Sequence, residues 1–352
     1  MLKSSLESGP ILDCGDATMH AWNFDKLKVT KSVKLAADLL CVARVPNSEQ
    51  LWIGSSDFRV YSLDLSAEKP QPVALEGHSS YVSGVVLAGK TLVSGGWDRK
   101  LIWWDVEKRR PARTVDAHQR WIRQLALSPD QSLVASVSDD MTCKLWDVGN
   151  GKITRELKGH ELRLPRYDYP NKLYACAFSP DGKFLAAADE LCQVIVWEVA
   201  SGKEAARLDA KALYKLDWDR NNHPYGGLRA LAFSPDGQSL ALGGMQNTDV
   251  AIINGPGLVQ VYDWKAGKLT HEMKAGTNLQ YETLWFHPRS GWLLALVGGA
   301  QQKTSMTFYD LKQKSVVKDI SSPAPSFGLA VSENHDVLYT VGRGLVAKWE
   351  CV

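Results

Sequence analysis

The chain repeats itself about every 40 residues, and no other feature narrows its fold so far. LIWWDV, CKLWDV, VIVWEV, VQVYDW, MTFYDL and LVAKWE each place an aromatic just before an acid, at Asp105, Asp147, Glu198, Asp263, Asp310 and Glu350, with looser copies at Asp64 and Asp25. Successive acids lie 39, 41, 42, 51, 65, 47 and 40 residues apart. A period of this length means one supersecondary unit used many times, each copy burying its apolar face against the next.

Two further marks keep the same phase. Ser-Pro-Asp begins at Ser128, Ser179 and Ser234, and His287 opens a similar HPRSG. Proline pre-sets the second position of a tight turn and glycine takes its left-handed position, so these are hairpin turns. Gly77-His78, Ala117-His118 and Gly159-His160 follow one another by 40 and 42 residues. Between the marks lie alternating apolar runs of four to eight residues, too short for helices, and four such runs per period make a four-stranded antiparallel unit. The phased Gly-His, Ser-Pro-Asp and Trp-Asp marks over residues 40 to 350 resemble the WD-repeat family, and phrases such as WEVASGKEAARL resemble its bacterial-type members.

That resemblance implies an all-β fold, a WD-repeat β-propeller of four-stranded antiparallel blades around a central channel. Inner strands are expected near Val42, Val82, Ile122, Tyr174, Leu228, Glu282 and Phe327, which gives seven blades in a single domain covering 1–352. The last repeat stops at Val352 before an outer strand, and KLKVTKSVKL within 1–35 is expected to supply it. ILDCGDATMHAWNFD reads as half of one further repeat, so eight blades is the alternative.

His118, Ser136 and Asp140 are the side-chain types of a hydrolytic triad. The resemblance implies a structural role instead: His118, Ser136, Asp140 and Trp146 form a hydrogen-bonded chain within one blade, and His78, Ser94, Asp98 and Trp104 repeat it. Catalysis needs a triad once, whereas a strut recurs, and nothing near Ser136 resembles a strained G-x-S-x-G elbow. The repeat of Trp197 has Ala187 in place of the serine, and the last repeat has no turn aspartate, so apolar packing is expected to hold those blades.

With 41 Lys plus Arg against 39 Asp plus Glu, the net charge of +2 provides no global field for nucleic acid or membrane. Cys14, Cys41, Cys143, Cys176, Cys192 and Cys351 show no C-x-x-C pair, and the histidines no metal-binding spacing, so no metal and no cofactor is expected. With no signal-like apolar segment at the start, the chain reads as cytoplasmic, and as a monomer on its own.

The extra length falls on one end of the ring. The first and third turns of each repeat are tight, while the links at 161–172, 209–227, 245–257 and 299–306 are long. Tyr81, Trp97, Trp121, Arg123, Asp139 and Met141 are expected on that same rim, with Arg166, Tyr169 and Trp218 in its loops. Aromatic, Arg and Met side chains are enriched at interface hot spots, so a non-enzymatic scaffold binding a protein or peptide is the leading reading. The alternatives are an enzyme or small-molecule binder using Asp168, Tyr169, Asp217, Asp219 and His223, and nucleic-acid binding through Arg120, Arg123, Arg163, Arg166 and Lys172. Acids such as Glu161 among these bases argue against nucleic acid.

Overall fold

A computed structural model describes residues 22–164, 167–215, 225–246, 255–276, 279–298 and 304–352. Each repeat folds locally, because its turns leave little choice. At Ser128 the hydroxyl donates to Asp130 (2.6 Å) and accepts the Leu133 amide (2.9 Å), and Ser179 does the same with Asp181 and Phe184. The side chain thereby satisfies backbone that a two-strand turn leaves open. The flanking apolar runs then pair as antiparallel neighbours.

Four blades are simple four-stranded sheets; they are numbered here in chain order from the N-terminal one. Blade 2 runs from Val82–Ala88 to Arg110–Asp116, blade 3 from Ile122–Leu127 to Ile153–Leu157, blade 4 from Leu173–Phe178 to Glu204–Asp209 and blade 6 from Gln280–Phe286 to Ser315–Ser321. Blade 5, Tyr225–Phe233 to Lys268–Ala275, gains Tyr214–Lys215 as a fifth strand. Blade 1 has six strands, and Arg163–Leu164 pairs with Tyr167–Pro170 in a separate hairpin.

The described strands therefore make six blades, not the seven or eight that repeat counting suggests. The cause is one 18-residue strand, Leu27–Arg44. Its first half pairs with the chain's end, Leu27 opposite Cys351 and Lys34 opposite Leu345, while its second half pairs with Gln50–Ser55, Arg44 opposite Leu51. The first and last repeats thus share a single sheet. That sheet sends two strands, Ser326–Val331 and the second half of Leu27–Arg44, to the central channel beside one from each other blade. Trp22 and Phe24 pack against Trp292 and Phe308 instead of pairing as strand; the rest of the segment read as an extra repeat lies outside the described residues.

The core sits in the seams between blades. Trp103, Ile122, Leu125, Val134 and Trp146 form one seam, and Met141, Leu145, Leu173, Cys176 and Trp197 the next. Each blade hides an apolar face only by lying against its neighbour, as a repeat unit must.

Candidate functional site

Blades 2 and 3 each contain a buried polar chain beneath the rim. In blade 2, His78 Nδ1 lies 2.9 Å from Asp98 Oδ2 and its Nε2 2.7 Å from Ser94 Oγ, to which Trp104 Nε1–H donates at 2.7 Å. Blade 3 repeats the set, with His118 to Asp140 at 2.9 Å, His118 to Ser136 at 2.7 Å and Trp146 Nε1–H to Ser136 at 2.9 Å. Burial pushes the His118 pKa down against the opposing pull of Asp140, so the ring is neutral near pH 7. Burial would raise the Asp140 carboxyl, but the bonds with His118, Thr142 and the Gln119 amide outweigh it and leave it well below the usual carboxylate range. The roles follow: Asp140 accepts from His118 Nδ1–H, Nε2 accepts from the Ser136 hydroxyl, and Ser136 accepts from the indole. Every polar side-chain atom of His118, Ser136, Asp140 and Trp146 is thereby matched.

Ser94 and Ser136 are 0% exposed. A nucleophile enclosed by its own histidine and tryptophan has no face for a substrate carbonyl, so the arrangement braces the blade. Among the described residues, no three His, Cys, Asp or Glu side chains group as metal ligands.

Blade 4 departs from the sequence expectation. His160 Nδ1 lies 2.9 Å from Asp189 Oδ2, and Asn171 donates to the same oxygen at 3.0 Å. Asp189 stands two residues after Ala187, where Asp140 stands four after Ser136, so a search at fixed spacing misses it. His160 Nε2 is buried with no partner among the described residues, and Trp197 turns its N–H to Lys158 O at 3.2 Å. At the chain's end Trp349 donates to Thr340 at 3.0 Å. Part of the polar chain therefore survives in both places, alongside the apolar packing.

The braces hold a rim of aromatic rings. The Asp98 carboxylate accepts the Ser79 amide at 3.0 Å, and Asp140 accepts the Gln119 amide at 2.9 Å, which fixes the loops leading to Tyr81 and Trp121. The backbone N–H of Trp97 donates to Tyr81 O at 2.8 Å, an approach that Gly96 permits, since a Cβ there would fall 2.6 Å from that oxygen. The rings line up in sequence: Phe58 to Tyr81 at 5.9 Å, Tyr81 to Trp97 at 4.6 Å, and Trp97 to Trp121 at 4.3 Å with planes 3° apart. Trp121 is 44% exposed and Tyr81 37%.

The structure brings Tyr81, Trp97, Trp121, Arg123 and Asp139 together, but not in equal roles. Arg123 stands within 5.2 Å of the ring centres of Trp97, Trp121 and Tyr174, and gives Asp139 two hydrogen bonds of 2.7 Å each. Both partners are largely enclosed, so they support the rings and are not free contact residues. Met141 is a correction: at 4% exposure it packs into the seam between blades 3 and 4, its apolar side chain lying among Leu173, Cys176 and Trp197. Trp103 also lies in a seam, donating to Val148 O at 2.8 Å. Arg166, Asp217, Trp218, Asp219 and His223 lie outside the described residues, as do the side chains of Arg163, Asp168 and Tyr169. Lys172 pairs with Glu190 at 3.3 Å.

With four-stranded antiparallel blades around a channel and histidine-aspartate braces at their rim, the chain is a repeat-built propeller, and residues 69–105, 109–147 and 151–198 match the WD domain, G-beta repeat. It carries WD40 repeats. It is similar to small ribosomal subunit protein RACK1y of Oryza sativa subsp. japonica, 32% identical over 36% of this chain and 35% of that protein. It is also similar to target of rapamycin complex subunit LST8 of Mus musculus, 28% identical over 40% of this chain and 47% of that protein. Telomerase protein component 1 of Mus musculus is 23% identical over 77% of this chain but 9% of that protein. The chain spans less than half the length of each of these relatives.

Proposed function

We propose that this protein is a non-enzymatic interaction scaffold, a single propeller domain that binds a protein or peptide partner on the rim bearing Tyr81, Trp97 and Trp121. The observation that carries the reading is the braced aromatic row. Large rings half exposed to water and held rigid beneath are the kind of surface that dominates interface energetics, because little entropy is lost when they are covered. The relatives support it by name: a ribosomal subunit protein, a complex subunit and a telomerase component are each parts of assemblies. Placement among bacterial-type members rests on the phrase WEVASGKEAARL alone. A cytoplasmic location belongs to the same proposal and draws on the buried, unpaired thiols of Cys143, Cys176 and Cys192.

The test is affinity capture from native extract with the full chain. Trp121→Ala should weaken capture by about 1–4 kcal/mol, the range for a central tryptophan. Lys152→Glu, in the turn before Ile153–Leu157 at the opposite end of the ring, should not. A partner lost with Lys152→Glu and kept with Trp121→Ala places the site on the other face.

One observation favours small-molecule binding as a second reading. A channel cavity of about 470 Å³ contains Arg229, its guanidinium 3.9 Å from the Tyr174 ring centre, and Glu282, whose carboxyl is pushed up by burial. A metabolite that raises the melting temperature of the wild type and not of Arg229→Met supports that reading.

A further inference from the structure

The rim also specifies the chemistry of what docks there, and this step rests on the docking reading above. A cavity of about 450 Å³ opens beside Trp121, lined by Trp97, Arg99, Gln119, Arg120 and Asp139. Aromatic walls of this kind suit a cation, an anion-flanked ring or a nucleobase. The structure separates the three.

One cation is already built into the ring cluster. Arg123 lies against Trp97, Trp121 and Tyr174, with Asp139 as its bidentate counter-ion. Arg123 sits beside the stacked pair, nearly equidistant from both rings, so an incoming lysine or arginine on the outer face of Trp121 would meet like charge from Arg123, Arg99 and Arg120.

The remaining charge is positive. Asp57 is taken by Arg59, Tyr61 and Ser55, Asp98 by His78 and the Ser79 amide, and Asp140 by His118, Thr142 and the Gln119 amide. The more exposed Glu76 and Asp116 are met by Arg59 and Lys100. Arg99 and Arg120 are exposed, and neither side chain has an ion pair or hydrogen bond among the described residues. Two unpaired guanidiniums thus flank an exposed indole, and both cations lack a carboxylate that the fold does not supply.

A single strand of nucleic acid needs a basic track for successive phosphates and spaced rings for successive bases. Here two free cations stand beside one pocket, and Trp97 and Trp121 already stack on each other, which leaves one outer face for a ring. The net charge of +2 adds no long-range pull.

We propose that the pocket beside Trp121 takes an aromatic side chain flanked by carboxylates, so that the partner presents an acidic, aromatic-bearing segment to Arg99 and Arg120. The ring covers the outer face of Trp121, and the carboxylates on either side of it meet the two guanidiniums. Because the braces of blades 2 and 3 fix both loops beforehand, the fit needs no rearrangement of the rim.

The experiment is fluorescence anisotropy of the full chain with a labelled peptide Glu-Asp-Phe-Asp-Glu. Its comparison probes are Gln-Asn-Phe-Asn-Gln, Glu-Asp-Ala-Asp-Glu and a ten-residue oligothymidylate. The acidic aromatic peptide should bind about tenfold or more tighter than each comparison probe, and its affinity should fall as salt rises. Trp121→Ala, or Arg99→Gln with Arg120→Gln, should remove about tenfold or more of that affinity, with Trp121→Phe retaining most of it and all melting temperatures unchanged. Equal binding of the uncharged peptide, tighter binding of the oligothymidylate, or no binding of the acidic aromatic peptide overturns the proposal. The two levels separate cleanly in the capture assay. Capture that depends on Trp121 but ignores the arginine changes leaves the docking face standing and removes the acidic segment, whereas capture indifferent to Trp121 removes both.

Discussion

His160 Nδ1 and Asp189 Oδ2 lie 2.9 Å apart in blade 4, a pairing that keeps the histidine in the place of His78 and His118 while the serine beneath it is gone. Ala187 occupies that serine's position, and among the described residues nothing meets the buried His160 Nε2. A buried polar atom without a partner costs about 1–3 kcal/mol, so blade 4 holds a defect that one oxygen can repair.

Ala187→Ser should therefore stabilise the protein by about 1 kcal/mol, the net value of a typical buried hydrogen bond. Its hydroxyl would meet His160 Nε2 and offer Trp197 the acceptor that Trp104 and Trp146 enjoy. Chemical denaturation gives the answer. A lower midpoint would mean that the packed alanine seam has no room for the oxygen.

The complete brace should show the reverse. Asp140→Ala leaves His118, Thr142 and the Gln119 amide without their charged acceptor and should destabilise by about 3 kcal/mol, the upper end for stranding buried donors. Ser136→Ala should cost about 1–2 kcal/mol, since the histidine keeps Asp140. Urea unfolding of both variants ranks them, and the opposite order would contradict the roles assigned to the two groups.

Acid should weaken the fold in two stages. His118 and His287 both have pKa values below that of a free histidine, His287 at about 4 through burial and then the nearby His335 and Arg289. A group whose pKa is depressed on folding binds more protons when unfolded, so its stabilisation is present above the unfolded value near 6.5 and lost as pH falls toward the folded value. Asp140, also depressed, adds a further loss beginning only near the ordinary aspartate pKa of 3.8. His287 has a specific reason to resist protonation, because its Nδ1 accepts the amides of Arg289 and Ser290 at 3.2 and 3.0 Å. His287→Ser, which imitates Ser128 and Ser179, should flatten the fall of melting temperature between pH 6.5 and 4. An unchanged slope would assign that fall to other groups.

Ring closure rests on the pairing of Leu27–Lys34 with Leu345–Cys351. A chain beginning at Ala36 should expose that edge, lose its cooperative melt and aggregate, since an unpaired strand edge recruits other chains. Light scattering during a thermal ramp reads both effects. A truncated chain that stays monomeric and melts like the full one would show that this strand is not the clasp.

Much of this could be read from the order of residues alone, because it is local. The period of the Trp-Asp marks places each strand, Ser128 and Ser179 write their own turns, and the spacing from His118 to Ser136, Asp140 and Trp146 is set within one blade of antiparallel hairpins. What neighbours decide could not be read in that way. Asp189 replaces the expected turn aspartate only because blade 4 carries His160 to it. Met141 and Trp121 look alike as rim residues, yet one is buried in a seam and the other faces water, since the packing of the adjoining blade chooses between them. Arg123, a contact residue by its place in the sequence, is held by Asp139, by Trp97 from the preceding blade's turn and by Tyr174 from the first strand of blade 4. The blade count rests on Leu27 meeting Cys351, a pairing between the two ends of the chain. Hairpin geometry is written in a few consecutive side chains, whereas which blade edge meets which, and what a turn residue touches across a seam, emerges only when all the sheets pack around one channel.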